Sequence, residues 1–380
     1  MTTVADVVRA GVHARVSTIR VALLGVGQVG GAVAALVRDP GIGNRFTISS
    51  GLVRDVGRER PQAAQLRLTS NARDALRDNP HVVIEALGGL EPARTLVADA
   101  LDRGIPVVTA NKSLLAAHGR ELLERSATTG VPLRYEAAVL AGVPFLGTFA
   151  RRPLARRVSG LCGIVNGTTN FILSEMANGC MDLEGALAEA QRRGYAEPDP
   201  ANDLNGIDAA EKLAVLLQHF GDWSVRTSDI PTEGIAGIRE GDLAAASALG
   251  GTIKPIVYAD WSDGELTAFC GPAFVPGHHP LARVSGVQNA VRLRNVGGDL
   301  FFAGPGAGPE VTAATLLDDA AEIAWSDTPL TVPRDSGVRS VRRVWKTAVP
   351  AAPAANTFMR LGGPQSVRLF DAPMPEFSGL

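Results

Sequence analysis

The chain has 380 residues, of which 46% are hydrophobic and 20% charged. That is enough for two domains at roughly 100–200 residues each, with a core that needs no disulfide staples. Lys plus Arg total 37 and Asp plus Glu total 39, a net charge of −2, which excludes the basic excess of a nucleic-acid binder or polybasic membrane-surface protein. Cys162, Cys180 and Cys270 lie far apart without a CxxC, so neither a disulfide framework nor a cysteine-ligated zinc site is expected and a reducing compartment fits. No run approaches ~18 uninterrupted apolar residues, and residues 1–17 carry no signal-like apolar segment. The expected location is cytoplasmic, with no membrane span.

Residues 1–17 read as a loose arm or short helix. The run from Thr18 to Gly25 reads as a buried strand ended by glycine. Gly27 to Asp39 reads as a helix stopped by Pro40, and Phe46 to Val53 as a second strand. His81 to Leu87 is a third strand, ended by Gly88 and Gly89. A helix from Glu91 to Arg103, a strand from Ile105 to Thr109, a helix from Lys112 to Ser126 and a strand from Val131 to Glu136 complete the series. Strand alternating with helix predicts an α/β fold, a doubly wound parallel sheet over 18–145.

The pattern then changes. A strand from Val158 to Val165 precedes helices near 168–178, 183–193 and 206–219, with strands at 252–259, 266–270, 281–293 and 299–303. This predicts a second α+β domain over 146–304 with a mixed or antiparallel sheet, for catalysis and dimerisation. An apolar-periodic helix at 309–325 lies in a segment, 305–330, expected to return to the first domain. Pro and Ala dominate 331–380, a tail expected to be poorly ordered or packed along the surface.

Gly25-Val26-Gly27-Gln28-Val29-Gly30 is a GxGxxG between a predicted strand and a predicted helix. The first glycine makes the tight turn, the second admits a pyrophosphate against the backbone, and the third lets helix and strand pack. The helix N-terminus adds N–H groups and positive dipole. Cofactor choice is read after the second strand, where an acidic residue suits the NAD ribose diol and an arginine the NADP phosphate. Arg54 follows Val53 directly, with Arg58 and Arg60 close behind, so NADP is favoured and NAD stays possible.

Only four of the basic residues are lysines: Lys112, Lys212, Lys254 and Lys346. Arginine cannot release a proton near neutral pH, so each lysine invites a specific question. Glu197, Asp199, Asp203 and Asp208 crowd the stretch before Lys212, and Pro198 and Pro200 keep that loop out of helix. Asp208 and Lys212 are four apart and share a helix face. Such carboxylates suit a substrate ammonium group, and the lysine can pass a proton to a carbonyl oxygen as hydride reaches carbon. Lys112 follows a strand of the first domain, where ligands of open α/β sheets bind.

These stretches resemble the homoserine dehydrogenase family. LLGVGQVG, TANKSLLA, YEAAVLAGVP, GIVNGTTNFIL, RGYAEPDPANDLNGIDAAEKL and GPGAGPEVTAA run in the family's order from about 18 to 325. The resemblance implies NAD(P)-dependent interconversion of L-aspartate 4-semialdehyde and L-homoserine, in the threonine and methionine branch of aspartate-family biosynthesis. It implies that Lys212 is the proton-transfer lysine and that Lys112 stands between nicotinamide and substrate. Glu197, Asp203 and Asp208 would hold the amino acid, with Gly167 and Thr168 as the substrate-contacting turn. Gly88 and Gly308 would join the cofactor set of Gly25 to Gly30, Arg54 and Lys112. Glu136, Val139, Ala141 and Val143 would form a monovalent-cation loop, for sodium, chiefly through backbone carbonyls. Leu140 departs from the small residue usual there. The family's threonine-binding region has no convincing counterpart in 331–380, so weak or absent threonine feedback is expected, in a homodimer. Two alternatives stay open: the same fold reducing a different small amino-acid aldehyde in a specialised pathway, and a silent cofactor-binding regulatory subunit.

Overall fold

The computed structural model describes residues 18–43, 45–150, 152–179 and 181–323, and four short strand segments at 334–335, 343–346, 359–361 and 367–370. The arm 1–17 and the rest of the tail lie outside the described residues. The chain forms two compact units, one drawn from 1–114, 121–138 and 308–330, the other from 115–120, 139–307 and 331–380.

The first unit is built on six strands: β1 Ile19–Leu24, β2 Phe46–Leu52, β3 Leu68–Thr69, β4 Val82–Glu85, β5 Val107–Thr109 and β6 Leu133–Arg134. All pair in parallel, in the order β3-β2-β1-β4-β5-β6. The order reverses at β1, which pairs with β2 on one side and β4 on the other; this is the switch point of a doubly wound sheet. Crossover helices Gln28–Val37, Ala93–Asp102 and Lys112–Thr129 accompany these strands. Helix Pro309–Ile323 buries Ala313, Leu316, Leu317 and Ala320, spaced to line one helical face, in the same core as Val21, Leu23, Val33, Ile84 and Val108. The final strand is shorter than the Val131–Glu136 expectation: Glu136 already starts a 3₁₀ turn, Glu136–Ala138.

The second unit carries β7 Val158–Ile164, β8 Trp223–Ser224, β9 Gly251–Asp260, β10 Thr267–Pro276, β11 Gln288–Asn295 and β12 Gly298–Pro305. Five of them form an antiparallel sheet in the order β10-β9-β7-β11-β12. Helices Gly167–Ala177, Leu183–Arg192, Ile207–Gly221 and Glu240–Ala248 belong to this unit. Helix Ile207–Gly221 is buried along most of its length, including Leu213, Ala214, Leu216 and Leu217. Its end packs Phe220 edge-on against Phe149, ring centroids 5.2 Å apart.

Two sequence expectations are corrected here. The strand expected at 281–293 begins only at Gln288, because Pro280–Arg283 forms a 3₁₀ turn whose first amide is capped by His279. The strand expected to end at Cys270 runs on to Pro276 through Pro272. It is the edge strand of its sheet, where a missing N–H is tolerated. In the tail, expected to be poorly ordered or packed along the surface, Arg343–Lys346, Met359–Leu361 and Val367–Phe370 pair into a small antiparallel sheet.

Candidate active site

In the first unit the candidate cofactor surface is made largely of backbone. Gly25 has φ +97, and a Cβ there would lie 2.5 Å from the Ala86 carbonyl oxygen. A Cβ on Gly30 would lie 2.0 Å from the Gly25 oxygen. Both glycines are therefore demanded by close packing. Gly27 is different: a Cβ there would meet nothing within 4 Å, and the residue is exposed. Its smallness serves no packing need within the protein and leaves the approach open for a ligand, as a pyrophosphate cradle requires. Gly27 is the N-cap of helix Gln28–Val37, which has no side-chain cap and no acidic residue in its first turn. Its first N–H groups thus suit an anion. Gln28 is exposed, Val29 half-buried and Val26 buried.

Arg54 is exposed just past the end of β2. Arg60 braces the loop instead: its Nε donates to the Val26 carbonyl at 3.2 Å and its Nη1 to the carbonyls of Asp55 and Arg58, both at 2.8 Å. Gly88 is exposed with φ +72, in the turn after β4. Lys112 is half-buried at the first position of its helix, which Asn111 caps by accepting from Leu114 N at 3.0 Å. Gly308, with φ +132, directly precedes helix Pro309–Ile323.

In the second unit the site is made of side chains. Gly206, with φ +79, opens helix Ile207–Gly221 and places Asp208 in its first turn, where the helix dipole favours a carboxylate. Lys212, one turn on, sets its Nζ 3.0 Å from Asp208 Oδ2 and donates to the Val165 carbonyl at 2.8 Å. Both residues are buried, each 8% exposed. Such a pair needs further bonds to offset desolvation, and Asn166 supplies them. Its Nδ2 donates to Asp208 Oδ2 and to Asp203 Oδ1, both at 2.7 Å. Its Oδ1 accepts from Thr169 N and Thr169 Oγ1, both at 2.8 Å, capping helix Gly167–Ala177. Asn166 thus uses its whole hydrogen-bonding capacity to join the end of β7 to two carboxylates some forty residues away. The sequence reading did not single it out, although an asparagine before GTTN is an N-cap signal.

Gly167 sits where a Cβ would meet the Val287 carbonyl oxygen at 2.8 Å. Thr168 donates from Oγ1 to the Tyr195 carbonyl at 2.7 Å. Glu197 stands apart: its side chain is exposed, only its main-chain carbonyl accepts from Gln191 Nε2 at 3.2 Å, and its carboxylate joins none of the bonds of the lysine network.

The four residues proposed for a cation are all buried. Glu136 belongs to the first unit, where its N–H donates to Asp319 Oδ2 at 3.0 Å. Burial, and then the nearby Glu136 charge, push the Asp319 carboxyl well above the usual range. Val139, Ala141 and Val143 belong to the second unit, where Ala141 N donates to the Gly306 carbonyl at 3.1 Å. Leu140 is fully buried there, so its size is absorbed by packing. Main-chain carbonyls such as those of Val139, Ala141 and Val143 are donors that suit a hard cation and not a transition metal. Among the described residues no group of three or more His, Cys, Asp or Glu is suited to hold a metal ion, and no helix is long and apolar enough to cross a membrane.

Comparison with known proteins places the chain in a family. The family model for homoserine dehydrogenase matches residues 144–320, and that for the homoserine dehydrogenase NAD binding domain matches 25–136. The chain is 36% identical to homoserine dehydrogenase of Lactococcus lactis over 317 residues, 80% of this chain and 74% of the relative. It is 38% identical to that of Corynebacterium glutamicum over 316 residues, 80% of this chain and 71% of the relative. Among solved structures, a homoserine dehydrogenase from Thiobacillus denitrificans superposes with a TM-score of 0.77 at 34% identity, covering 86% of this chain and 81% of that one. One described as a putative homoserine dehydrogenase from Archaeoglobus fulgidus gives a TM-score of 0.71 at 32% identity, covering 81% of this chain and 99% of that one. With a dinucleotide-binding sheet in one unit and a buried lysine–carboxylate network in the other, the chain belongs to the homoserine dehydrogenase family.

Proposed function

We propose that this enzyme interconverts L-aspartate 4-semialdehyde and L-homoserine, in the cytoplasm and as a homodimer, in the threonine and methionine branch of amino-acid biosynthesis. The observation that carries the reading is the network that joins half-buried Asp203 to buried Asn166, Asp208 and Lys212. A bound nicotinamide cofactor supplies hydride to the aldehyde carbon, or accepts it from the alcohol. In the reductive direction Lys212 gives a proton to the carbonyl oxygen, and Asp208 at 3.0 Å keeps the ammonium in place. Asp203 and Glu197 hold the substrate ammonium, with Gly167 and Thr168 forming the turn beside it. Because Glu197 is exposed and outside the network, its part is to engage substrate as it enters. Lys112 adds positive charge that favours the oxyanion character developing on the carbonyl.

Gly25, Gly27 and Gly30, with the uncapped helix start, fit the pyrophosphate, and Gly88 and Gly308 complete the cofactor set. Exposed Arg54 favours the 2′-phosphate of NADP over the free ribose of NAD. Glu136, Val139, Ala141 and Val143 hold a monovalent cation, sodium by family resemblance.

The test is a panel read at the nicotinamide absorbance band: aspartate semialdehyde and other small amino-acid aldehydes, each with NADPH and NADH. The expected result is turnover highest with aspartate semialdehyde and NADPH. A higher kcat/KM with another aldehyde would move the reading to the same fold in a different pathway. Cofactor binding without turnover on any aldehyde would indicate a silent subunit.

A further inference from the structure

Glu85 ends β4 after three apolar residues, Val82, Val83 and Ile84, and is fully buried. A carboxyl in that position must be bonded on every side to persist. Its Oε2 accepts from Thr109 Oγ1 at 2.5 Å. Its Oε1 accepts from Leu87 N at 2.8 Å and from Asn111 Nδ2 at 3.4 Å. Two of its partners tie further segments together. Asn111 Nδ2 donates to the Gly89 carbonyl at 2.7 Å while its Oδ1 caps the helix that starts at Lys112. Thr109 Oγ1 accepts from Asn111 N at 3.0 Å. One carboxyl therefore fixes three things together: the Gly88–Gly89 turn, the end of β5, and the first turn of the Lys112 helix.

That turn is open on its other side. A Cβ on Gly88 or on Gly89 would meet nothing within 4 Å, and both residues are exposed. In a sheet of this order the pyrophosphate lies at the turn after β1 and the adenosine ribose beyond β2, so the second nucleotide half lies over the ends of β4 and β5. That half carries the nicotinamide. Burial pushes the Glu85 carboxyl up from its ordinary range, while the donors from Thr109, Leu87 and Asn111 pull it back.

We propose that Glu85 is a positioning residue for the nicotinamide end of the cofactor: it holds the Gly88–Gly89 turn and the Asn111–Lys112 helix start as one rigid floor. The inference rests on the dehydrogenase reading above. Glu85→Gln preserves the hub, because its Oε1 still accepts from Leu87 and Asn111 while its Nε2 donates to Thr109 Oγ1. Glu85→Asp is one methylene too short to reach Leu87 and Thr109 together. Thr109→Val removes one bond to Glu85 and one to Asn111 with little change of shape.

The experiment measures NADPH affinity by nucleotide fluorescence with no substrate present, the Tm of cofactor-free protein, and then kcat and both KM values. E85D is expected to raise the NADPH Kd about tenfold, T109V about three- to tenfold, and E85Q by less than about threefold, from the loss of one or two hydrogen bonds or none. The cofactor KM should follow the Kd, and the amino-acid KM should change by less than about threefold. Wild-type NADPH affinity in both E85D and T109V, whatever their Tm, would overturn the proposal, since a purely structural role moves Tm and not affinity. Failure of the wild-type chain to bind either NADPH or NADH would instead overturn the dehydrogenase reading.

Discussion

Two glycines three positions apart in the first unit, and two carboxylates joined by an asparagine in the second, show how differently the halves of this enzyme are built. At Gly27 the protein leaves space: a Cβ would meet nothing within 4 Å. At Asn166 it leaves none, because every hydrogen-bonding group of the amide is engaged. In the proposed reading the cofactor end uses main-chain N–H groups and the absence of side chains, which suits a phosphate common to all dinucleotides. The amino-acid end uses oriented side-chain charges, which suits a substrate that must be told from its relatives and given a proton. Damage to the first end should act through backbone geometry and affinity, and damage to the second through charge and rate.

The largest effect should come from Lys212→Ala. Loss of the proton donor is expected to lower kcat by about 10²- to 10⁴-fold, with the NADPH Kd unchanged. Near-wild-type turnover would remove Lys212 from its role. Asn166→Asp comes next. It keeps the acceptor that caps helix Gly167–Ala177 but replaces both donors with a third carboxylate beside Asp203 and Asp208. Unpairing groups of this kind costs about 1–3 kcal/mol, or roughly 5- to 150-fold in kcat/KM for the amino acid. Cofactor affinity should hold, and a fall in cofactor affinity instead would blur the division between the two ends.

The glycine pair sharpens the division from the other side. Gly30→Ala puts a Cβ 2.0 Å from the Gly25 oxygen, and overpacking of that kind destabilises by about 1–3 kcal/mol or more, visible as a lowered Tm. Gly27→Ala should lower Tm much less, through the N-cap preference alone, and weaken cofactor binding about tenfold, by crowding the phosphate and the charged hydrogen bonds made to it. Equal loss of stability in both variants would show that Gly27 is a packing glycine after all.

Much of this architecture is legible in the residues. The βαβ alternation and the glycine spacing give the parallel sheet and its switch point, because periodicity and punctuation are local properties. Short elements escape: β3 is only two residues long, and helix Glu240–Ala248 has little periodic signal. The turn at Pro280 and the edge strand through Pro272 escape a local reading because proline's effect depends on which neighbour is missing. In the site, Asp208 and Lys212 were readable as an i,i+4 pair. Asn166 was not, since its partners lie 37 and 42 residues away. Glu85 did leave a sign, a carboxylate ending the apolar run Val82 to Ile84, a position that demands partners.

The smallest predicted effect concerns Lys254, buried in the second unit. Lys254 donates to the Val284 carbonyl at 2.7 Å, and burial lowers its pKa from 10.5 to about 8. Below pH 8 the folded state carries a charge it disfavours, and the handicap is complete. Above pH 8 the folded protein releases that proton while the unfolded chain keeps it, so this contribution to stability rises with pH. In Lys254→Met the contribution is absent. The difference in unfolding free energy between wild type and variant should therefore shift in favour of wild type from pH 8 to 9, by roughly 1 kcal/mol per pH unit. A pH-independent difference would mean that Lys254 is not desolvated.

The central claim is a hydride transfer to the aldehyde carbon of an amino acid. Its most direct test is to incubate the enzyme with aspartate semialdehyde and NADPH deuterated at nicotinamide C4, on the face from which hydride is transferred, and to analyse the product by mass spectrometry. The account predicts homoserine carrying one deuterium at C4, formed in step with NADPH consumption. NADPH consumption without labelled homoserine, or no consumption at all by protein that binds NADPH, would contradict it.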